Sequence, residues 1–406
     1  MFSSELVNIY LKLLPTVGYV CLTAFLLTPV IGYLAKKYHY IDLPATKRKR
    51  TDKSLAQRIH KNTKPRLGGL AYLIPILFIL ILQSNGNPSL IGMAIGLAIL
   101  MLIGGLDDRY ELSAKTQFLT QILVSIIVVT LGTKIINISV LGLNLNFDWW
   151  HITTYLNGYI VGFVFPADFL SVIWILLVIN AVNWMYGIDA IGEVVTIIAS
   201  ITTGLLSVRS GLYGNALISF CLAGGLLGFL PFNLYPSKII GGTAGATGNG
   251  FLLAVLSILS GAKFSNTVIL LIFPLFDMIW VMIYRFRIHK DEPFLKRPFI
   301  SGKVHFHHRL MTLGLSQRKI LFIETLLISS IAVLGVFASG FSDTFLFLVI
   351  CIVFLLILFS LISISVKRKE EKMIDELRKS NRSQIKSENV SDNKEDDIPP
   401  EKRYAY

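Results

Sequence analysis

Apolar runs long enough to cross a bilayer follow one another from residue 13 to residue 366, which leaves little room for any other fold. A spanning helix needs roughly 20 apolar residues, and about eleven runs can be marked on that basis. They lie near 13–35, 67–83, 89–106, 117–135, 158–180, 189–208, 212–230, 247–262, 267–284, 319–340 and 344–366. Glycines thin the start of the run at 247–262, the weakest of the set. With 53% hydrophobic residues, 16% charged residues and a mean hydropathy of +0.64, an ordinary soluble domain is excluded. The expectation is an all-α, polytopic membrane protein. The first run lacks the basic start and small-residue site of a cleavable leader, so none is expected.

The net charge of +13 suggests nucleic acid until its distribution is read, which argues against that partner. The loop after the first run carries Lys36, Lys37, Lys47, Arg48, Lys49, Arg50, Lys53, Arg58, Lys61, Lys64 and Arg66. The loop after the ninth carries Arg285, Arg287, Lys290, Lys296, Arg297, Lys303, Arg309, Arg318 and Lys319. The alternate loops hold no basic residue in Gln83–Ser89, then Lys134, Arg209 and Lys263 singly. This positive-inside asymmetry puts the N-terminus outside and the C-terminus in the cytoplasm. Cys21, Cys221 and Cys351 all fall inside apolar runs, a scattered set that suits packing rather than disulfides or zinc. From Lys367 the chain turns charged and polar. Residues 1–366 read as the membrane domain and 367–406 as a disordered cytoplasmic tail, with a short helix over Glu370–Lys379.

Four polar islands stand at the ends of apolar runs, all on the cytoplasmic face by the same rule: Gly105–Arg109, Asn180–Asn183, Pro236–Lys238 and His305–His308. Ionisable groups at a membrane edge are functional hypotheses by default. Asp107 and Asp108 face the negative end of their helix, so helix stability does not account for them. Paired acids there suit a divalent cation or a general base beside one; the plainer reading is a solvated helix end. Lys115 opens the next run behind Ser113, a natural N-cap, and a cation there could meet a phosphate. Asn180 and Asn183 share a helix face at i and i+3, placed for metal, base or phosphate, or equally for interhelical hydrogen bonds. The glycines from Gly241 to Gly250 could offer N–H groups to phosphate. Their small-xxx-small spacing favours close helix packing instead. His305, His307, His308 and Arg309 lie in a basic loop without zinc-ligand spacing, and suit phosphate oxygens better than metal. An extended segment would put His305 and His307 on one side.

Taken in order, these segments resemble the polyprenyl-phosphate N-acetylhexosamine-1-phosphate transferases, in particular the branch that uses UDP-GlcNAc and undecaprenyl phosphate. The likeness runs from about Asp42 to Lys319. Arg58-Ile59-His60 with Pro65–Leu70 looks like the first cytoplasmic motif, and Gly105–Arg109 with Leu112, Lys115 and Gln121 like the double-aspartate motif. Asn180–Asp189, Phe232–Gly250 and Pro298–Leu310 follow as the third, fourth and fifth. Three family acids are replaced: Tyr186 stands for the first Asp of the third motif, Thr243 for the Asp of Gly-Asp-x-Gly-Ser, and Gly302 for the Asp before the histidines. A basic insertion at about 46–56 also lengthens the first loop.

The resemblance implies transfer of a sugar 1-phosphate from a UDP-sugar to a polyprenyl phosphate with release of UMP, the first membrane step of cell-envelope glycan synthesis. It implies magnesium, with manganese as a substitute, and a multi-pass place in the cell membrane with cytoplasmic chemistry. Asp107 or Asp108 would be metal ligand or base, and Asn183 a metal or diphosphate ligand. Lys115, Asn180, Lys238, His305, His307, His308 and Arg309 would bind phosphate or nucleotide, and Asp189 would contact the nucleotide. The implied partners are the UDP-sugar, the prenyl phosphate and membrane lipid; the resemblance also allows a homodimer. The lost acids leave a second expectation, an impaired homologue that binds prenyl phosphate or a glycan-assembly partner.

Overall fold

The computed structural model describes residues 4–42, 63–140, 143–260, 264–294, 296–297, 300, 302, 304–341 and 344–396. The expected insertion at 46–56 and the Arg58-Ile59-His60 element lie outside them. The described residues are mainly helical. Nine helices are long and apolar enough to cross a membrane, among the described residues: α1 (Ser4–Lys37), α3 (Pro88–Tyr110), α5 (Ala167–Trp184), α6 (Ile191–Arg209), α7 (Tyr213–Asn233), α8 (Gly242–Leu259), α9 (Phe264–Ile288), α11 (Gln317–Ala338) and α12 (Phe345–Asp396). Two shorter apolar helices, α2 (Leu70–Ser84) and α4 (Ala114–Thr130), complete the match to the expected runs. The short α10 (Phe306–Thr312) carries the histidines.

Local chemistry sets several helix starts. Asn87 caps α3, its Oδ1 accepting from Ser89 N at 3.0 Å with Pro88 just inside the helix. Ser113 caps α4 as its sequence position suggests, accepting from Thr116 N at 3.1 Å.

Helix α8 is the centre of the bundle. All its residues from Ala244 to Ser257 are buried, and it packs against α3, α5, α6 and α7. Its glycines and alanines let neighbours approach closely. A Cβ on Gly104 of α3 would stand 2.4 Å from Ala244 Cα, and one on Gly250 would stand 2.7 Å from Ile179 Cα in α5. The small-residue spacing therefore serves packing, as a membrane interior without a hydrophobic driving force between helices requires. A second core joins α9 to α12 around Phe273, Phe306 and Phe359, all nearly inaccessible.

Two elements differ from the sequence reading. The fifth run does not start as a helix at 158. Residues Tyr159–Pro166 form strand β6, paired antiparallel with β5 (Asp148–Leu156). The Asn157-Gly158 turn explains this: both residues have positive φ (51° and 81°), the geometry of a two-residue hairpin loop. The other pairings are short ribbons, β1 (Ile41–Asp42) with β2 (Lys64–Pro65) and β3 (Asn137–Val140) with β4 (Leu143–Asn146). At the other end, α12 does not stop near 366 with a short separate helix after it. It continues without a break to Asp396. The segment contains good helix formers and no Gly or Pro, and Lys367 pairs with Glu371 one turn on at 3.8 Å.

Candidate active site

The cytoplasmic ends of α3 and α5 and the starts of α4, α6 and α8 meet around the double aspartate. Asp107 Oδ1 accepts from Gln117 Nε2 at 2.9 Å, and its Oδ2 accepts from the Thr243 hydroxyl at 2.5 Å. Asp108 Oδ1 accepts from Thr243 N at 2.9 Å and lies 2.9 Å from Arg66 Nε, in a buried ion pair. Its Oδ2 is buried with no hydrogen-bond partner among the described residues. Gly242 is needed here twice over: its φ is +71°, and a Cβ would stand 2.1 Å from Asp108 Oδ2. Both aspartates are thus fastened to the glycine turn at the start of α8, and the residue that fastens them is Thr243.

Beside this pair, Asp189 is clasped from two sides. Lys64 Nζ donates to both its oxygens at 2.7 and 2.8 Å and to Ser237 Oγ at 2.7 Å, while Ser237 N donates to Asp189 Oδ2 at 3.0 Å. Behind the glycine turn, Asn249 Nδ2 donates to the hydroxyls of Tyr72 (2.9 Å) and Tyr186 (2.5 Å). The Tyr186 ring packs on Gly192, where a Cβ would meet it at 2.3 Å. Burial, with Tyr72 and Glu193 nearby, holds the Tyr186 phenol well above its usual pKa, so it is a neutral hydrogen-bonding group. Glu193 Oε1 is buried next to Gly241 without a partner among the described residues.

The histidines sit at the start of α10 rather than on an extended segment. His305 is the N-cap, and His307 and His308 occupy the first turn. Asp277, in the middle of the apolar α9, organises them: its Oδ2 lies 2.7 Å from His305 Nδ1, and its Oδ1 accepts from Phe306 N at 2.8 Å. The rings of His305 and His307 are parallel within 6° at 5.6 Å, and His307 meets His308 at 4.4 Å. So the two rings do share a side, through a helical start instead of strand alternation. His307 is fully buried with neither nitrogen hydrogen-bonded among the described residues. Burial, then His308 and His305, push its pKa well below the ordinary imidazole value, leaving it neutral. It packs against Gly187, where a Cβ would fall 2.0 Å from Nε2. Arg309 donates through Nε to Val304 O at 2.7 Å and through its terminal nitrogen to Ser363 of α12, and lies over the Trp280 ring.

The remaining candidates are placed less centrally. Asn180 donates to Gln121 Oε1 at 2.7 Å and to Leu176 O at 2.8 Å, the interhelical alternative for that residue. Asn183 is half-buried and makes no side-chain hydrogen bond among the described residues. Lys115 and Lys238 are exposed. Lys64, Gln117, Asp277 and Glu193 were not singled out as site residues in the sequence. Lys64 reads there as one more loop cation. Asp277 carries the better signal, a lone acid inside an apolar run.

Hard oxygen donors predominate around the double aspartate, the chemistry that magnesium prefers. Asp107 has unused lone pairs on both oxygens, and Asp108 Oδ2 has no partner among the described residues. No group of three or more His, Cys, Asp or Glu residues stands close enough to hold a metal by itself, among the described residues. The donors fit an ion that takes its other ligands from phosphate or water.

Residues 90–261 match the family model described as glycosyl transferase family 4. The chain is 29% identical, over 83% of its length and 87% of the relative's, to a probable undecaprenyl-phosphate N-acetylglucosaminyl 1-phosphate transferase of Bacillus subtilis. It is 26% identical to a decaprenyl-phosphate N-acetylglucosaminephosphotransferase of Mycobacterium leprae, over 79% of this chain and 80% of the other. A phospho-N-acetylmuramoyl-pentapeptide-transferase of Staphylococcus epidermidis is 25% identical over 72% and 89%. These likenesses support the family that the motifs suggested, and with the nine spans they make this a multi-pass membrane protein of the transferase class.

Proposed function

We propose, from its similarity to the polyprenyl-phosphate GlcNAc-1-phosphate transferases, that this chain transfers a sugar 1-phosphate, GlcNAc 1-phosphate first among candidates, from a UDP-sugar to a polyprenyl phosphate. A phosphate oxygen of the lipid attacks the β-phosphorus of the UDP-sugar. The bond to the bridging oxygen breaks, and UMP leaves. The observation that carries this reading is the convergence of Asp107 and Asp108 on the glycine turn at the start of α8, at the cytoplasmic edge of the bundle.

On this reading the site residues divide the work. Asp107 and Asp108 would hold a magnesium ion, with Asn183 of the third motif as a further ligand by resemblance; when bound, the ion would supply charge neutralisation at the diphosphate. Arg66 keeps Asp108 oriented, and Gln117 keeps Asp107 oriented. His305 and His308, with Arg309, offer donors to phosphate oxygens whose charge grows as the bond breaks. Neutral His307 packs between its neighbours and Gly187, which fixes the cluster's shape. Asp189 meets the nucleotide once Lys64 shares it with the incoming ligand.

A second reading, a binding homologue with impaired catalysis, has its own motivating observation. The Thr243 hydroxyl occupies Asp107 Oδ2 where the family's third acid would stand, and Tyr186 is tied to Asn249. Release of labelled UMP by the purified protein, given UDP-GlcNAc, undecaprenyl phosphate and a magnesium titration, separates the two. Metal-dependent release that EDTA abolishes supports the enzyme. Folded protein that binds prenyl phosphate but releases nothing at any magnesium concentration supports the binder.

A further inference from the structure

The β5–β6 hairpin on the non-cytoplasmic side plays no part in the chemistry above, yet it presents a concentrated apolar surface. Cross-strand register puts Trp150, Ile152 and Leu156 on the same face as Phe163 and Phe165. A register shift between Asp148 and Trp150 makes Trp149 an extra residue in β5. Its indole joins that face too, lying 6.4 Å from the Phe165 ring, as Trp150 lies 6.0 Å from Phe163. These side chains are exposed by 43% to 70%, which water alone would not favour. Asp148 is the one charged residue in the two strands.

The hairpin is held at both ends. At its base, the buried Lys134 donates to Asp168 Oδ1 at 2.5 Å and to Gly162 O at 2.9 Å, and Val164 N donates to Asp168 Oδ2 at 3.1 Å. At its tip, Asn157 Nδ2 donates to Gly86 O, in the α2–α3 connection, at 3.4 Å. Strand β6 also packs against α4 and α5. The ribbon therefore runs across the outer ends of the spans instead of projecting away from them. Strand β6 runs directly into α5 at Ala167, and Phe169, Ile173 and Leu177 of that helix are exposed apolar side chains one turn apart, a stripe that a spanning helix turns toward lipid.

We propose that this face is a lipid-docking surface, seated in the headgroup–acyl boundary of the outer leaflet. Trp and Phe on an uncharged face, at the height where helices end, have the composition that membrane interfaces favour. Continuity with the lipid-facing stripe of α5 selects the bilayer over a second copy of the chain as occupant.

The test uses the full chain reconstituted in phosphatidylcholine–phosphatidylglycerol vesicles, with and without Trp149→Phe/Trp150→Phe. The chain has five tryptophans, so the difference spectrum isolates the two hairpin indoles. The expected result is blue-shifted emission, quenched more by lipids brominated near the headgroup than by lipids brominated at the chain end. Aqueous iodide should quench the same signal weakly. A charged variant, Ile152→Lys/Phe163→Lys, should lose most of the lipid quenching of that signal while the remaining tryptophans keep theirs. Iodide-sensitive indoles untouched by brominated lipid would place the face in water and overturn the proposal. Indoles shielded from both quenchers would place it against protein and overturn it equally.

Discussion

Thr243→Asp is the substitution that most directly probes the double-aspartate site. In the wild type the Thr243 hydroxyl donates to Asp107 Oδ2 at 2.5 Å, with Asp107 buried and Thr243 half-buried. The replacement removes that donor, a hydrogen bond to a charged group worth about 1.5–3 kcal/mol. It also sets a third carboxylate beside Asp107, and two like charges about 4 Å apart repel by roughly 4 kcal/mol at an effective dielectric near 20. Without a cation the variant should therefore lose several kcal/mol, a total of about 6–7 by these two terms. With a divalent cation the repulsion becomes attraction. Saturation at about 100 times the dissociation constant returns roughly 2.7 kcal/mol. The assay is thermal unfolding in detergent, in EDTA and across a magnesium titration. Thr243→Asp should melt well below wild type in EDTA and recover steeply with magnesium, while the wild type responds weakly. A variant as stable as wild type in EDTA and indifferent to magnesium would refute the placement of Thr243 against Asp107.

Three further outcomes can be checked. Lys64→Met leaves the part-buried Asp189 carboxylate with only Ser237 N and should cost about 1–3 kcal/mol by thermal melt, with Asp189→Asn in the same chain restoring most of it. Gly187→Ala drives a methyl into the fully buried His307 ring. It should destabilise by about 1–3 kcal/mol and suppress any UMP release, measured by melt and by labelled nucleotide. Stability should also depend on pH through His307. Its folded-state pKa is lowered, so the unfolded chain binds the proton more tightly, and stability is full above the unfolded value of about 6.5 and falls as pH drops through it. His307→Gln should flatten the slope of melting temperature against pH in that window.

What the sequence exposes and what it hides divide along physical lines. Apolar runs are long and lipid is unforgiving, so the spans can be read locally. So can Ser113, because a cap involves its own next few residues. The ion pair of Lys64 with Asp189 joins residues 125 positions apart, and no local pattern marks which loop cation will find which acid. Asp277 hides for the opposite reason: it lies in an apolar run whose length already explains itself, and its partners arrive from α10, 28 positions later. The hairpin is masked although Asn157-Gly158 signals it, because strands β5 and β6 are apolar on one face and blend into the run that becomes α5. Tyr186 hides as well: its hydroxyl joins a hydrogen-bond network with Tyr72 and Asn249 that only the packing of three separate elements creates.

The unbroken course of α12 has a mechanical consequence. A helix rises about 1.5 Å per residue, and a bilayer core is about 30 Å thick. The 52 residues of Phe345–Asp396 thus outrun the membrane by tens of ångströms. The charged stretch from Lys367 to Asp396 is thus part of a helix, about 45 Å long over those residues. Positions one turn apart along it stay about 5.4 Å from each other, so the spacing of its charges is fixed as a coil's would not be.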